Sequence, residues 1–143
     1  MSRFRLAALA VLIVYTALLL LAVLAPSNSD QSTMVVWLSD RLRDVGVPDR
    51  YSSFPRLEVL LNAAIVAPVS LLGSLLFPRL SWRDWTAYGF LASSAVEITQ
   101  ALVLSGRQAS FSDVVANTSG ALIGAGVVAA VRRAGASRRS IRR

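Results

Sequence analysis

Four stretches of this chain are apolar over about the length that crosses a bilayer, and no other feature constrains the fold so strongly. The first, residues 6–25, is twenty residues without a charge and follows Arg3 and Arg5. At about 1.5 Å per residue it reaches ~30 Å, the thickness of the hydrocarbon core. The second covers residues 57–77, the third 85–104 and the fourth 113–131. Only 16% of the 143 residues are charged and the mean hydropathy is +0.57, whereas a soluble domain carries about 25% charged residues. An ordinary soluble domain is excluded. The expected fold is all-α, one membrane domain over residues 1–143 built as a four-transmembrane-helix bundle. Val23-Leu24-Ala25 resembles a signal-peptide cleavage site. The apolar run exceeds the usual ~7–15 residues, however, and Pro26 would follow the cut, so the segment reads as a retained helix.

The chain has no cysteine and no histidine. Disulfides, thiol nucleophiles, His triads and the usual zinc sites are therefore excluded, and chemistry would rest on Asp, Glu, Arg, Ser, Thr or Tyr. The formal charge of +7 is carried by arginine alone, and its placement matters more than its sum. With both termini in the cytoplasm, the inner segments hold ten arginines: Arg3, Arg5, Arg79, Arg83 and six in the tail, residues 132–143. The outer segments hold five, Arg41, Arg43, Arg50, Arg56 and Arg107, and the first outer loop adds four aspartates. That asymmetry fits the positive-inside rule. It makes the chain a multi-pass protein of the cell membrane and gives the basic tail a lipid-facing explanation, so no nucleic-acid partner is expected.

The first outer loop, residues 26–56, contains Met34, Val35, Leu38, Leu42 and Val45 on one helical face, with Asp40, Arg43 and Asp44 turned away. Gly46 and Pro48 stop that helix. A short helix lying in the interface or over the bundle mouth fits this pattern; a lid would carry the same one. Pro68 stands in mid-span, where it frees a backbone carbonyl and kinks a helix. Trp82, Trp85 and Tyr88 suit an interfacial aromatic belt.

On this topology the intramembrane polar residues converge. Glu58 and Asn62 open the second span, Glu97 lies about 10 Å below the outer end of the third, and Asp113 and Asn117 open the fourth. Asp113, Asn117, Gly120 and Gly124 fall on one stripe at i, i+4, i+7 and i+11; Ser93, Glu97 and Gln100 share a face of the third helix. A charge facing lipid at mid-helix costs about 2.5–3.5 kcal/mol on insertion scales, so these faces turn towards each other or a wet cavity. Arg107 is the natural cation for Glu97 or Asp113. Gly120 and Gly124 form a small-xxx-small pair that lets another helix approach, a packing role. Asn117-Thr118-Ser119 matches a glycosylation sequon but lies within a span.

The run Glu97-Ile98-Thr99-Gln100, then Gly106-Arg107, then Asp113 to Gly120 with Gly124, resembles the signature of the VanZ-like family: E-x-x-Q, R, and D-x-x-x-N-x-x-G-x-x-x-G across the last two helices. Glu97, Gln100, Arg107, Asp113, Asn117, Gly120 and Gly124 each match. Asn62 with Ala67-Pro68-Val69 is similar to the family's N-x-x-L-F-x-P-x-G, although Ser70 stands at the glycine. The Lys and His that some members carry in the first loop have no counterpart. The resemblance covers residues 62–124 and implies a small bacterial envelope protein associated with glycopeptide, and specifically teicoplanin, resistance.

These readings lead to an outward-facing polar site of Asn62, Glu97, Gln100, Arg107, Asp113 and Asn117. Its expected ligand is a lipid-linked cell-wall precursor or a glycopeptide, with Arg107 on an anionic group. The rival is a membrane enzyme on a lipid-linked substrate, with Glu97 or Asp113 as acid or base. A proton-coupled transporter would carry paired repeats and broken helices, which this chain lacks. Two carboxylates alone make no case for a divalent ion, and neither metal nor cofactor is expected.

Overall fold

The computed structural model describes residues 2–24, 29–103 and 110–141, and they are helical with no strand. The six helices are α1 (Arg3–Val23), α2 (Ser29–Asp44), α3 (Asp49–Ser52), α4 (Phe54–Leu76), α5 (Trp82–Val103) and α6 (Phe111–Ile141). Hydrogen bonds between helices fix their directions. Arg5 on α1 reaches the Leu76 carbonyl and Tyr15 reaches that of Ile65, so α1 runs antiparallel to α4. Asn62 meets Asp113 near the start of both helices and Ser74 meets Arg132 further on, so α4 and α6 run parallel. α5 lies antiparallel to α6. The longest interfaces are those of α6 with α4 and with α5, while α1 leans on α4.

Three helices are long and apolar enough to cross a membrane: Arg3–Val23, Phe54–Leu76 and Phe111–Ser137. The protein is thus a membrane protein. The third of the four expected spans is the one that falls short, because Glu97, Gln100 and several hydroxyls dilute α5. Their disposition explains how the helix accommodates them. Ser93, Glu97 and Gln100 are buried, whereas Phe90, Leu91, Ile98, Leu102 and Val103 face outwards. The hydroxyls of Thr86, Ser93 and Thr99 donate to carbonyls one turn back in the same helix, as side chains do when no water is available. A window average of hydropathy is blind to that inversion.

The centre of the α4–α6 interface is a backbone contact. A Cβ on Gly120 would come within 2.9 Å of the Ala63 carbonyl carbon, and one on Gly124 within 3.0 Å of that of Ala67. The two helices therefore touch through atoms that no side chain could separate, the small-residue packing expected of this stripe. Nothing on α1 is buried. An apolar helix with no polar face and little protein cover is one surrounded by lipid. Tyr15 is its one polar attachment in mid-span. Its hydroxyl donates to the Ile65 carbonyl at 2.7 Å, next to the Ala64 carbonyl that Pro68, lacking an N–H, leaves without its helical donor. Pro68 itself stands inside a continuous α4.

The helix expected in the first loop is α2, and it stops where Gly46 turns to φ +84°, a conformation that glycine alone adopts without strain. Val35 is buried and Leu38 and Leu42 are half-buried, but Met34 and Val45 are exposed, at the edges of the apolar face. The helix is held instead by a polar contact: the buried Ser39 hydroxyl donates to the carbonyl of buried Ser52 on α3 at 2.6 Å. Trp85, expected in an aromatic belt, packs its ring over Gly73, where even a methyl group would collide with it. Finally, α6 does not end with its apolar run near residue 131 but continues as helix through most of the basic tail.

Candidate functional site

The polar residues of α4, α5 and α6 gather at one end of the bundle. Ser110 begins the arrangement. It precedes α6, and its hydroxyl accepts from the Asp113 backbone N–H at 3.3 Å, the capping spacing that starts a helix. Its hydroxyl also lies 2.7 Å from that of Ser112. In the other direction the Ser110 backbone N–H donates to Glu97 Oε2 at 2.6 Å. Glu97, only 7% exposed, thereby joins α5 to the start of α6. A carboxylate oxygen bonded to a backbone N–H is fixed in position by the chain that carries the donor.

Asp113 carries the connection to α4: Asn62 Nδ2 donates to Asp113 Oδ1 at 3.0 Å. Glu58, one helical turn before Asn62, is half-buried and near enough to Asp113 for the two charges to act on one another. The end of the bundle is therefore rich in acceptors, with Asn62 as the amide that tempers Asp113. Glu97, Ser110, Asp113 and Asn62 form a continuous polar path from α5 through α6 to α4.

Two expected members sit differently. Gln100 is buried, and its Nε2 donates to the Val23 carbonyl at 2.7 Å. It satisfies a carbonyl in the last turn of α1, which has no intrahelical donor, and so ties α1 to α5. Asn117 is half-buried within α6, and its side chain makes no hydrogen bond among the described residues. It stands one turn inward from Asp113 with its amide available. Arg107, the cation assigned to this site, lies outside the described residues. Ser110 was not among the expected site residues, although Ser110-x-x-Asp113 carries the spacing of a capping pair. Among the described residues no three Asp or Glu side chains come together as a metal set.

The arrangement offers hydrogen-bond acceptors to hydroxyl, amide or ammonium donors, with the Asn62 amide already on one oxygen of the Asp113 carboxylate. The family model described as VanZ/LLP1 matches residues 8–132, which includes all of these residues, the whole of α4 and α5, and most of α1 and α6. No curated protein and no solved structure matches the chain.

Proposed function

The chain belongs to the VanZ/LLP1 family, and from that premise we propose that it binds a polar ligand at the outer face of the bacterial cell membrane. The ligand class is a lipid-linked cell-wall precursor or a glycopeptide, and occupancy of the site modulates susceptibility to glycopeptides such as teicoplanin. One observation carries this reading: Asn62, Glu97 and Asp113, from three different helices, are drawn to one end of the bundle and linked there through Ser110. Charged groups inside a membrane are costly, and helix packing in this bundle is already supplied by Gly120 and Gly124.

In the proposed arrangement α5 is the fourth crossing, so that α1, α4, α5 and α6 alternate in direction with both termini cytoplasmic. The arginine counts support an outward orientation of the Glu97–Asp113 end. Asp113 and Glu58 accept hydrogen bonds from the sugar or peptide part of the ligand. Asn117 supplies a free amide, and Arg107 engages an anionic group. Glu97 positions Ser110, and through it the first turn of α6.

The test is to incubate the purified protein in nanodiscs with a lipid-linked cell-wall precursor and follow both complex and product by mass spectrometry. Retention of unmodified precursor by the parent protein, reduced by Asn62→Ala or Asp113→Ala, is the expected result. A turned-over precursor would assign Glu97 and Asp113 to acid–base catalysis instead. Neither complex nor product, with precursor and teicoplanin both tried, would refute a ligand site of this class.

A further inference from the structure

The opposite end of the bundle holds a second polar site, unrelated to the first. Where α4 ends, the loop 77–81 crosses to α5 and leaves a cavity of about 240 Å³ against α6. Its wall includes Ser74, Arg79, Ser81, Trp82, Val128 and Arg132. Two cations thus face a space that contains no acidic residue. Neither Arg79 nor Arg132 pairs with a carboxylate among the described residues, where ion pairs involve only Arg43 with Asp40 and Asp49. The nearest acid in sequence, Asp84, is taken by the backbone N–H and hydroxyl of Ser81 at 2.7 and 2.9 Å.

Arg132 is held in place at this cavity. Its Nη2 donates to the Ser74 carbonyl at 2.7 Å, one of the last carbonyls of α4, which leaves the remaining guanidinium N–H groups for another acceptor. Beside it, Arg83 stacks on Trp82 with its guanidinium carbon 5.2 Å from the ring centroid. Ser74 supplies the independent sign of a missing partner. The residue is 3% exposed and its buried hydroxyl has no hydrogen bond. A hydroxyl side chain within a helix ordinarily donates to a carbonyl one turn back, as buried Ser93 and half-buried Thr86 and Thr118 do here. Leaving one without any partner is unfavourable unless an acceptor arrives. The start of α5 at the cavity's rim adds the partial positive charge of a helix N-terminus.

We propose that this cavity binds a phosphate-bearing anion, gripped by Arg79 and Arg132 with the Ser74 hydroxyl as a third donor. Two sources share that chemistry: the headgroup of an anionic phospholipid in the adjoining leaflet, or free phosphate in solution. The cavity lies at the end of the bundle where the arginine-rich tail of α6 departs, and Arg132, not the tail beyond it, lines it.

The experiment uses the full-length protein in nanodiscs of phosphatidylcholine alone or with phosphatidylglycerol, and reads thermal stability and retained lipid by native mass spectrometry. Inorganic phosphate is titrated into the phosphatidylcholine sample. Saturable stabilisation by phosphate identifies a soluble anion; one retained phosphatidylglycerol, with no response to phosphate, identifies a headgroup. In either arm, Arg79→Gln and Arg132→Gln weaken binding by about tenfold or more. Arg79 makes no intramolecular hydrogen bond among the described residues, so its variant folds as the parent does. Ser74→Ala separates a ligand role from a packing one. It weakens anion binding although removing an unpartnered hydroxyl leaves the fold unharmed. Arg142→Gln with Arg143→Gln, in the tail, leaves binding unchanged. The proposal is overturned if neither anion binds saturably. It is overturned equally if the tail variant loses binding while the Arg79 and Arg132 variants keep it, since that is diffuse attraction to basic charge.

Discussion

Replacing Gly124 or Gly120 by alanine adds one methyl group at the place where α4 and α6 touch through backbone. The new carbon would stand 2.9 Å from the Ala63 carbonyl carbon at position 120 and 3.0 Å from that of Ala67 at position 124, with the carbonyl oxygens closer still. Carbon atoms settle about 3.5–4.0 Å apart, so the helices must separate by roughly 0.5–1 Å. The obstacle is main chain, which cannot swing aside as a side chain can. Overpacking of this kind costs about 1–3 kcal/mol, and in lipid no hydrophobic gain offsets it because packing itself drives helix association. The pair acts on one backbone segment, so the double variant loses less than the sum. Gly126→Ala is the internal control. Its Cβ would meet nothing within 4 Å, and alanine is favoured over glycine in a helix by up to about 1 kcal/mol. Unfolding in detergent, followed by circular dichroism during denaturant titration, orders the variants as Gly126→Ala at or above the parent, with Gly120→Ala and Gly124→Ala clearly below. Three indistinguishable curves would refute the backbone contact.

Tyr15→Phe removes the hydroxyl that donates to the Ile65 carbonyl and lowers stability in the same titration by about 0.5–1.5 kcal/mol, at the lower end in a bilayer. Ser110→Ala removes the oxygen that caps Asp113 but keeps the backbone N–H bonded to Glu97; a loss of about 0.5–2 kcal/mol is expected, with the start of α6 the first segment to exchange its amide hydrogens. Because the chain has no cysteine, single cysteines at Ser112 and Ser137 report orientation directly: an impermeant thiol reagent on intact cells labels the first and not the second. Labelling only at Ser137 would move the Asp113 end to the cytoplasm.

Much of this fold was legible because lipid leaves few alternatives. Runs of twenty apolar residues located α1, α4 and α6 to within a few positions at Val23, Phe54 and Phe111, and Gly46 and Pro48 marked the end of α2. That Asn62 and Asp113 belong to the same end of the bundle followed from the alternation of the spans, whereas their direct hydrogen bond depends on the lateral placement of α4 against α6. Other features lay beyond pattern reading. α6 extends past residue 131 because arginine and alanine propagate a helix as well as valine does, so loss of hydropathy does not end the backbone hydrogen bonds. Ser39 is buried because its partner is a carbonyl on α3, and a lone serine announces no such partner. Gln100 shares a helical face with Glu97, yet its amide goes to α1, whose lateral position no periodicity encodes. Gly73 must lack a side chain because the Trp85 ring lies on it, and a contact between different helices leaves no mark in the local pattern.

The central proposal is that charge at the Glu97–Asp113 end serves ligand binding rather than assembly, and the isosteric amides isolate it. In Glu97→Gln the side-chain carbonyl can still accept from Ser110 N–H, and in Asp113→Asn it can still accept from Asn62, so the described hydrogen bonds persist. What each variant loses is the negative charge. Teicoplanin susceptibility of cells expressing each variant, compared at matched membrane levels, is the most direct measurement. Normal accumulation with a substantial but incomplete loss of the parent's effect is expected for both. Full effect from both, at parental expression, would make the cluster packing chemistry and remove the ligand site.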